Sequence, residues 1–237
     1  MGSELKNYHV RPEAITRQRV PTTWKHDSED ATSKHVQSVV FLHDSVHIVG
    51  GSQDGTMQKW NCMGNPVGKP WKGKGGSIYV VALSPDGKTI ACGRADGSVQ
   101  QWNTDGKMEG AWWGHSDLVR SLSWSPSGNR LASGSKDGKI LIRNPQSGEV
   151  EVGPIETNQR EVQSLAYSSS GDRIASGGRN FTICIWDSTT GELVVGPIKT
   201  LGDQVTSVVW SSDSTKLYSA SDFFARVFNS SSGARAR

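Results

Sequence analysis

Four aspartates invite a catalytic reading. Asp54, Asp96, Asp137 and Asp222 are the residue type that does acid–base work when two carboxylates are held near a reacting bond. Their spacing argues otherwise. Asp54, Asp96, Asp137, Asn180 and Asp222 each lie six residues before a second marked position, Trp60, Trp102, Arg143, Trp186 and Phe228. A catalytic pair has no reason to recur along a chain with a fixed partner, whereas a turn does. Three of the five positions are followed or matched by Asp-Gly: Asp54-Gly55, Asp96-Gly97 and Asp137-Gly138. Glycine supplies the positive φ of a tight hairpin turn there. These five residues are read as structural turn residues, and no catalytic residue is assigned.

Other reactive types give no constellation. The six histidines are His9, His26, His35, His43, His47 and His115. His43 and His47 are close in sequence, but no carboxylate or cysteine stands around them at ligand spacing. Cys62, Cys92 and Cys184 are dispersed, which fits neither a disulfide framework nor a CxxC metal site. Gly68 to Gly75 (GKPWKGKG) nearly matches the phosphate loop GxxxxGK[ST]. Its last position is glycine, so the Mg²⁺-binding hydroxyl is missing, and it leads into a strand with no helix N-terminus to receive phosphate. No metal and no cofactor are expected.

The elements that position these residues repeat. Val36-Gln37-Ser38-Val39, Ile78-Tyr79-Val80-Val81, Val119-Arg120-Ser121-Leu122, Val162-Gln163-Ser164-Leu165 and Val205-Thr206-Ser207-Val208 begin 42, 41, 43 and 43 residues apart. Such a period signals stacked supersecondary units. In the third unit the pattern predicts strands over Val119–Trp124, Arg130–Ser133, Lys139–Arg143 and Val150–Ile155. Turns at Pro126-Ser127-Gly128, Asp137-Gly138 and Ser147-Gly148 separate them. No segment carries a long 3.6-residue period, so helix is not expected.

Composition agrees. The chain has 237 residues, 34% hydrophobic, with 27 glycines and nine tryptophans against five phenylalanines. A net charge of +3 is well short of the concentrated basic stripe of a dedicated nucleic-acid binder. Met1 to Tyr8 is polar with no apolar leader core, and no window approaches the ~20 apolar residues of a membrane span. A cytoplasmic location, with the nucleus as the other reducing compartment, is expected.

The period, Gly114-His115, Ser52–Gly55, Ser135–Gly138 and Trp186-Asp187 together resemble the WD40-repeat β-propeller family, over about residues 18 to 229. The phrases Glu149–Ile155 and Glu192–Ile198 (EVEVGPI, ELVVGPI) resemble the WD40 arrays of fungal NACHT-type proteins, although no NTPase domain accompanies them here. The resemblance implies an all-β propeller of five four-stranded blades, as a closed ring or an open arc. It also implies a hydrogen-bonded network in each blade of a histidine, a serine, the turn aspartate and the tryptophan. On that pattern His115, Ser133 and Asp137 share one repeat that has Arg143 for Trp, and Ser176, Asn180 and Trp186 share another that has Asn158 for His. Gly50 and Cys92 replace the serine in the first two. The network residues are thus His115, Ser133, Ser176, Trp60, Trp102 and Trp186, with no repeat holding a full set, and packing is expected to carry the fold. The aromatic slot Phe41, Leu83, Trp124, Tyr167, Trp210 is expected to pack blade on blade.

Residues 1–17 read as a polar tail, 18–229 as the repeat domain and 230–237 as a small basic tail. Arg19–Trp24 resembles a fourth strand such as Lys69-Pro70-Trp71, so the last blade is expected to be completed by an N-terminal strand. An open arc would leave apolar faces and strand edges bare, making self-association or completion by another chain a further expectation.

Alternating strand directions put the fourth-to-first and second-to-third loops on one face. That face collects Lys34, His35, Lys72, Lys74, Arg94, Lys136, Arg160 and Arg179, with Asp117, Glu161 and Asp203 as its few acids. Relatives in the family commonly bind partners there. The expected function is a non-catalytic protein–protein interaction scaffold or sensor. It would take a protein or peptide partner, acidic in character, on this face, with no membrane or nucleic-acid role. A lectin-like carbohydrate-binding propeller is the alternative, and would need exposed aromatics, for which Trp71, Trp112 and Trp113 are the candidates.

Overall fold

A computed structural model describes residues 35–199, 204–221 and 224–235. Lys34, Asp222 and the segments 1–17 and Arg19–Trp24 lie outside the described residues. The first blade comprises β1 (Val36–Phe41), β2 (His47–Ser52), β3 (Thr56–Asn61) and β4 (Pro66–Lys72). The second comprises β5 (Ile78–Leu83), β6 (Thr89–Arg94), β7 (Val99–Asn103) and β8 (Met108–Trp112), and the third β9 (Val119–Trp124), β10 (Leu131–Ser135), β11 (Lys139–Arg143) and β12 (Val150–Glu156). The fourth has β13 (Val162–Tyr167), β14 (Arg173–Gly178), β15 (Thr182–Asp187) and β16 (Leu193–Lys199), and the fifth β17 (Val205–Trp210), β18 (Lys216–Ser221) and β19 (Phe224–Asn229). Each blade is an antiparallel meander, four-stranded in the first four and three-stranded in the fifth.

Blade packing explains the composition. Neighbouring sheets cover both faces of β6, β10 and β14, so these strands are buried along nearly their whole length rather than alternating. Each blade locks onto the next through a small residue. A Cβ added at Gly51, Gly93, Gly134 or Gly177 would lie 2.4, 2.6, 2.6 and 2.4 Å from a γ-carbon of Ile78, Val119, Val162 and Val205 respectively. The β-branched residue that opens each inner strand therefore sits directly on the preceding blade's backbone, which only glycine permits at that distance. Serine hydroxyls add polar stitches: the amides of Val81, Leu165 and Val208 donate to Ser38, Ser121 and Ser164 Oγ at 3.1, 2.8 and 3.1 Å. The aromatic slot does the same from the side chain. Trp124 and Trp210 Nε1 donate to the carbonyls of Ala82 and Ala166, at 3.2 and 2.9 Å.

Among the described residues the sheets are not closed into a ring. Val36 is 38% exposed and Phe41 73%, whereas Ile78, Val119, Val162 and Val205 at the position of Val36 are fully buried. Val209 and Tyr218 are exposed on the fifth blade. The segment expected as a basic tail folds back instead. Ala234 O accepts from Asn229 N at 2.8 Å and Arg235 bridges Phe228, the register in which Val150 and Leu193 meet Arg143 and Trp186. The turn Asn229–Gly233 repeats Asn144–Gly148 and brings Ala234 and Arg235 back alongside β19.

Candidate functional site

The turn residues bind their own turns. Asp54 Oδ1 accepts from Thr56 N at 2.9 Å, Asp96 Oδ1 from Ser98 N at 3.0 Å and Asp137 Oδ1 from Lys139 N at 2.9 Å. This is the Asx geometry that pre-shapes a hairpin. Asn180 uses its amide, donating to Asn158 O at 2.8 Å and accepting from Thr182 Oγ1 at 2.7 Å.

The third and fourth blades carry the best-developed networks. In the third, His115 Nδ1 lies 3.0 Å from Asp137 Oδ2 and Nε2 lies 2.9 Å from Ser133 Oγ, with the His115 and Asp137 side chains both buried. Burial alone would raise the Asp137 pKa. The His115 hydrogen bond and charge, with the Ser116 and Lys139 amides, outweigh it and hold the carboxyl below its ordinary value. Arg143 fills the tryptophan position as a buried strap, donating to Gly148 O at 2.9 Å and Trp113 O at 2.6 Å, and burial lowers its pKa. In the fourth blade the histidine's role falls to Gln159, not Asn158. Ser176 Oγ donates to Gln159 Oε1 at 2.6 Å and accepts from Trp186 Nε1 at 2.8 Å.

The second blade lacks such a network. Trp102 Nε1 is buried without a hydrogen-bond partner where Cys92 replaces the serine. Burial raises the Cys92 thiol pKa, so it acts as a small apolar group. Cys92→Ser should give Trp102 the acceptor that Ser176 gives Trp186, and the Gln100 carbonyl would take the hydroxyl proton. We expect about 1 kcal/mol of stabilisation, read as a higher Tm and absent in a Trp102→Phe background.

Arg94 requires a correction. It is not on the cationic face but fully buried at the end of β6. Its Nη1 donates to Gly76 O at 2.9 Å and Gly55 O at 3.1 Å, tying the turn of the first blade to the second. In the third blade, where the second strand was expected to end at Ser133, β10 runs two residues further to Ser135, the position that Arg94 holds in the second blade. The positions equivalent to Arg94, namely Ser52, Ser135, Gly178 and Ser221, are buried as well.

The remaining basic residues do lie at the surface. His35, Lys72, Lys74, Lys136, Arg160 and Arg179 are exposed. Of its acids, the two within the described residues are engaged: Asp117 pairs with Lys136 at 3.5 Å and Glu161 with Arg179 at 2.6 Å. Among the described residues no carboxylate pairs with Lys72, Lys74 or Arg160. Lys136, Arg160 and Arg179 form one stretch. The Asp137-Gly138 turn abuts Arg160, whose carbonyl would lie 2.9 Å from a Cβ at Gly138, and Arg179 N donates to Glu161 O at 3.0 Å.

The three candidate carbohydrate platforms do not act together. Trp71 is buried and stacks on Trp102 at 6.2 Å between centroids, and Trp112 packs on the Gly148 turn. Only Trp113 of the three is broadly exposed, at 64%. Among the described residues no group of three or more His, Cys, Asp or Glu could hold a metal.

The arrangement is that of a repeat propeller whose loops, not whose core, are available for contact. Comparison with known proteins agrees. The family "WD domain, G-beta repeat" matches residues 24–61, 64–103, 106–144, 151–187 and 196–229, and the chain belongs to this WD40 family. Among curated proteins it is similar to Coronin-7 of Homo sapiens and of Pongo abelii, 49% identical over 35 residues in each case. That stretch is 15% of this chain and 4% of each relative.

Proposed function

We propose that the protein is a non-catalytic interaction scaffold or sensor that binds an acidic segment of a protein partner on the face built by Lys136, Arg160 and Arg179. The observation that carries this reading is the state of the charges. Among the described residues Asp117 and Glu161 are held by Lys136 and Arg179, while Arg160, Lys72 and Lys74 pair with no carboxylate. Such a field steers an anionic segment and fixes its register more than it adds affinity. The resemblance of Glu149–Ile155 and Glu192–Ile198 to repeats of fungal NACHT-type proteins supports the sensor sense of the reading.

Fluorescence anisotropy with a labelled twelve-residue peptide of Glu and Gly tests it. Lys136→Glu, Arg160→Glu and Arg179→Glu together should weaken binding at least tenfold, by an order-of-magnitude estimate for several lost charge contacts, and flatten its dependence on salt. Unchanged binding and an unchanged salt slope would assign the contact to another face.

A second reading concerns the ends of the arc. Val36, Val39 and Phe41 on one end and Val209 and Tyr218 on the other are the exposed instances of the contact that the four inner junctions bury. Continuity with those junctions favours a second copy docking head to tail. Sedimentation velocity should then give a mass that grows with concentration in the wild type and stays monomeric in Phe41→Glu; a wild type that stays monomeric throughout removes this reading.

A further inference from the structure

The junction between the second and third blades is filled differently from the two that follow it. Ile142 and Ile185 hold one equivalent place in the third strands of their blades. Each pairs with an alanine of the second strand and a valine of the fourth: Ala132 and Val152 in one, Ala175 and Val195 in the other. Both isoleucines are fully buried and share a core with the aromatic slot of the next blade, Tyr167 and Trp210 respectively. In the second blade that place belongs to Gln101, which pairs with Ala91 and Gly110. An amide and a glycine thus stand where isoleucine and valine close the later junctions.

A cleft of about 460 Å³ lies here, within the range of small-molecule sites. It opens among the first-to-second and third-to-fourth strand turns, on the face opposite the basic one. Gln101, Thr89, Glu109, Gln146 and Trp124 are in its lining, which holds no Lys, Arg or His. Gln101 is only 7% exposed, yet its side-chain amide has no hydrogen-bond partner among the described residues. A buried amide without partners is unfavourable, and the isoleucine of the next blades would avoid that loss. Glu109 and the Gln146 amide, both exposed, are likewise without partners among the described residues. Trp124 is half-buried, and its Nε1 is already committed to Ala82 O, which leaves the ring for packing. The two amides offer donors and acceptors side by side, and the carboxylate offers acceptors alone. An ammonium or guanidinium ligand would use only the acceptors, and an anion only the donors. Ring hydroxyls use both, and the C–H face of a sugar suits an indole.

We propose that the cleft between the second and third blades binds a pyranose sugar, with Gln101, Glu109 and Gln146 taking its hydroxyls and Trp124 seating its ring. This site is separate from the cationic face and does not depend on it. Saturation-transfer NMR on the whole chain tests it, using the methyl glycosides of glucose, galactose, mannose and N-acetylglucosamine, with N-acetylarginine amide as the cationic comparison. At least one pyranoside should bind, independently of salt, and shift the indole N–H signal of Trp124, assigned through Trp124→Phe. Gln101→Ile rebuilds the slot of the third and fourth blades. It should hold or raise Tm while weakening binding about tenfold or more, as expected when a hydroxyl loses a buried hydrogen-bonding partner. The double variant Glu109→Ala/Gln146→Ala changes only exposed residues and should also weaken binding; it decides the question if Gln101→Ile lowers Tm sharply. Binding of none of the four pyranosides overturns the proposal, as does binding that both variants leave unchanged. Binding of the arginine amide alone, lost in Gln101→Ile, would make the cleft a cation site and overturn the sugar.

Discussion

Replacing His115 by alanine should lower the stability of the domain by about 3 kcal/mol, measured by denaturant or thermal unfolding. The reason lies in what the histidine leaves behind. Asp137 Oδ2 and Ser133 Oγ both lose a close partner, at 3.0 and 2.9 Å, inside the protein. Removing one member of a buried pair costs more than the pair contributes, because the remaining charge is desolvated and uncompensated. Glutamine should be gentler, since Gln159 already performs the same task on Ser176 in the fourth blade. That blade carries the neutral Asn180 where the third carries Asp137, so a neutral amide suits it, whereas His115→Gln would still face a carboxylate. We expect His115→Gln to recover part of the loss and His115→Gln/Asp137→Asn to recover more. A double variant no more stable than His115→Ala would show that the fourth-blade pairing does not transfer.

The same pair sets an acid limit. The carboxyl of Asp137 is held below its ordinary value of 3.8. A depressed native pKa means that the unfolded state binds the proton more readily, so this stabilisation is full above that ordinary value and fades as pH falls through the native one. In His115→Ala the depression should shrink. The difference in stability between wild type and variant should then narrow on acidification below about pH 4, a window set by the direction of the shift.

Much of this architecture was legible in the sequence because it repeats. The strands of the third blade fall within two residues of the boundaries read from turns and apolar runs. The turn residues Asp54, Asp96 and Asp137 were identifiable because each precedes its slot by the same distance. Errors arose where the period slipped. His115 stands four residues before Val119, so counting back from Val162 leads to Asn158; the left-handed Asn158 and Arg160 instead bring Gln159 onto Ser176. Arg94 was misplaced because a charged residue at the end of a strand reads as loop. Nothing local announces that its guanidinium will cap two backbone carbonyls between blades.

The glycine seats carry the other large expected effect, and they test whether blade packing sustains the fold. Gly134→Val should destabilise the domain by about 3 kcal/mol, the upper end for overpacking a core. A Cβ at Gly134 would already stand 2.6 Å from Val162 Cγ1 and 3.0 Å from Leu165 Cδ1, and valine adds two further carbons to the same space. Neither neighbour can retreat cheaply. Val162 opens the inner strand of the fourth blade, and Leu165 belongs to the core formed by Ile140, Ile142 and Ile174. The β-sheets of two blades must therefore separate, and that separation also strains the Ser121 to Leu165 hydrogen bond across the junction. The fifth blade supplies the control. Ala220 pairs with Ser207 as Gly134 pairs with Ser121, and no blade follows it among the described residues. Ala220→Val should change stability by less than about 1 kcal/mol, as for a surface-side substitution. Equal losses at the two positions would mean that the inner junctions are not what holds the propeller together. A large loss at Gly134 alone would identify the glycine seat, one small residue per blade, as the feature on which the series of blades depends.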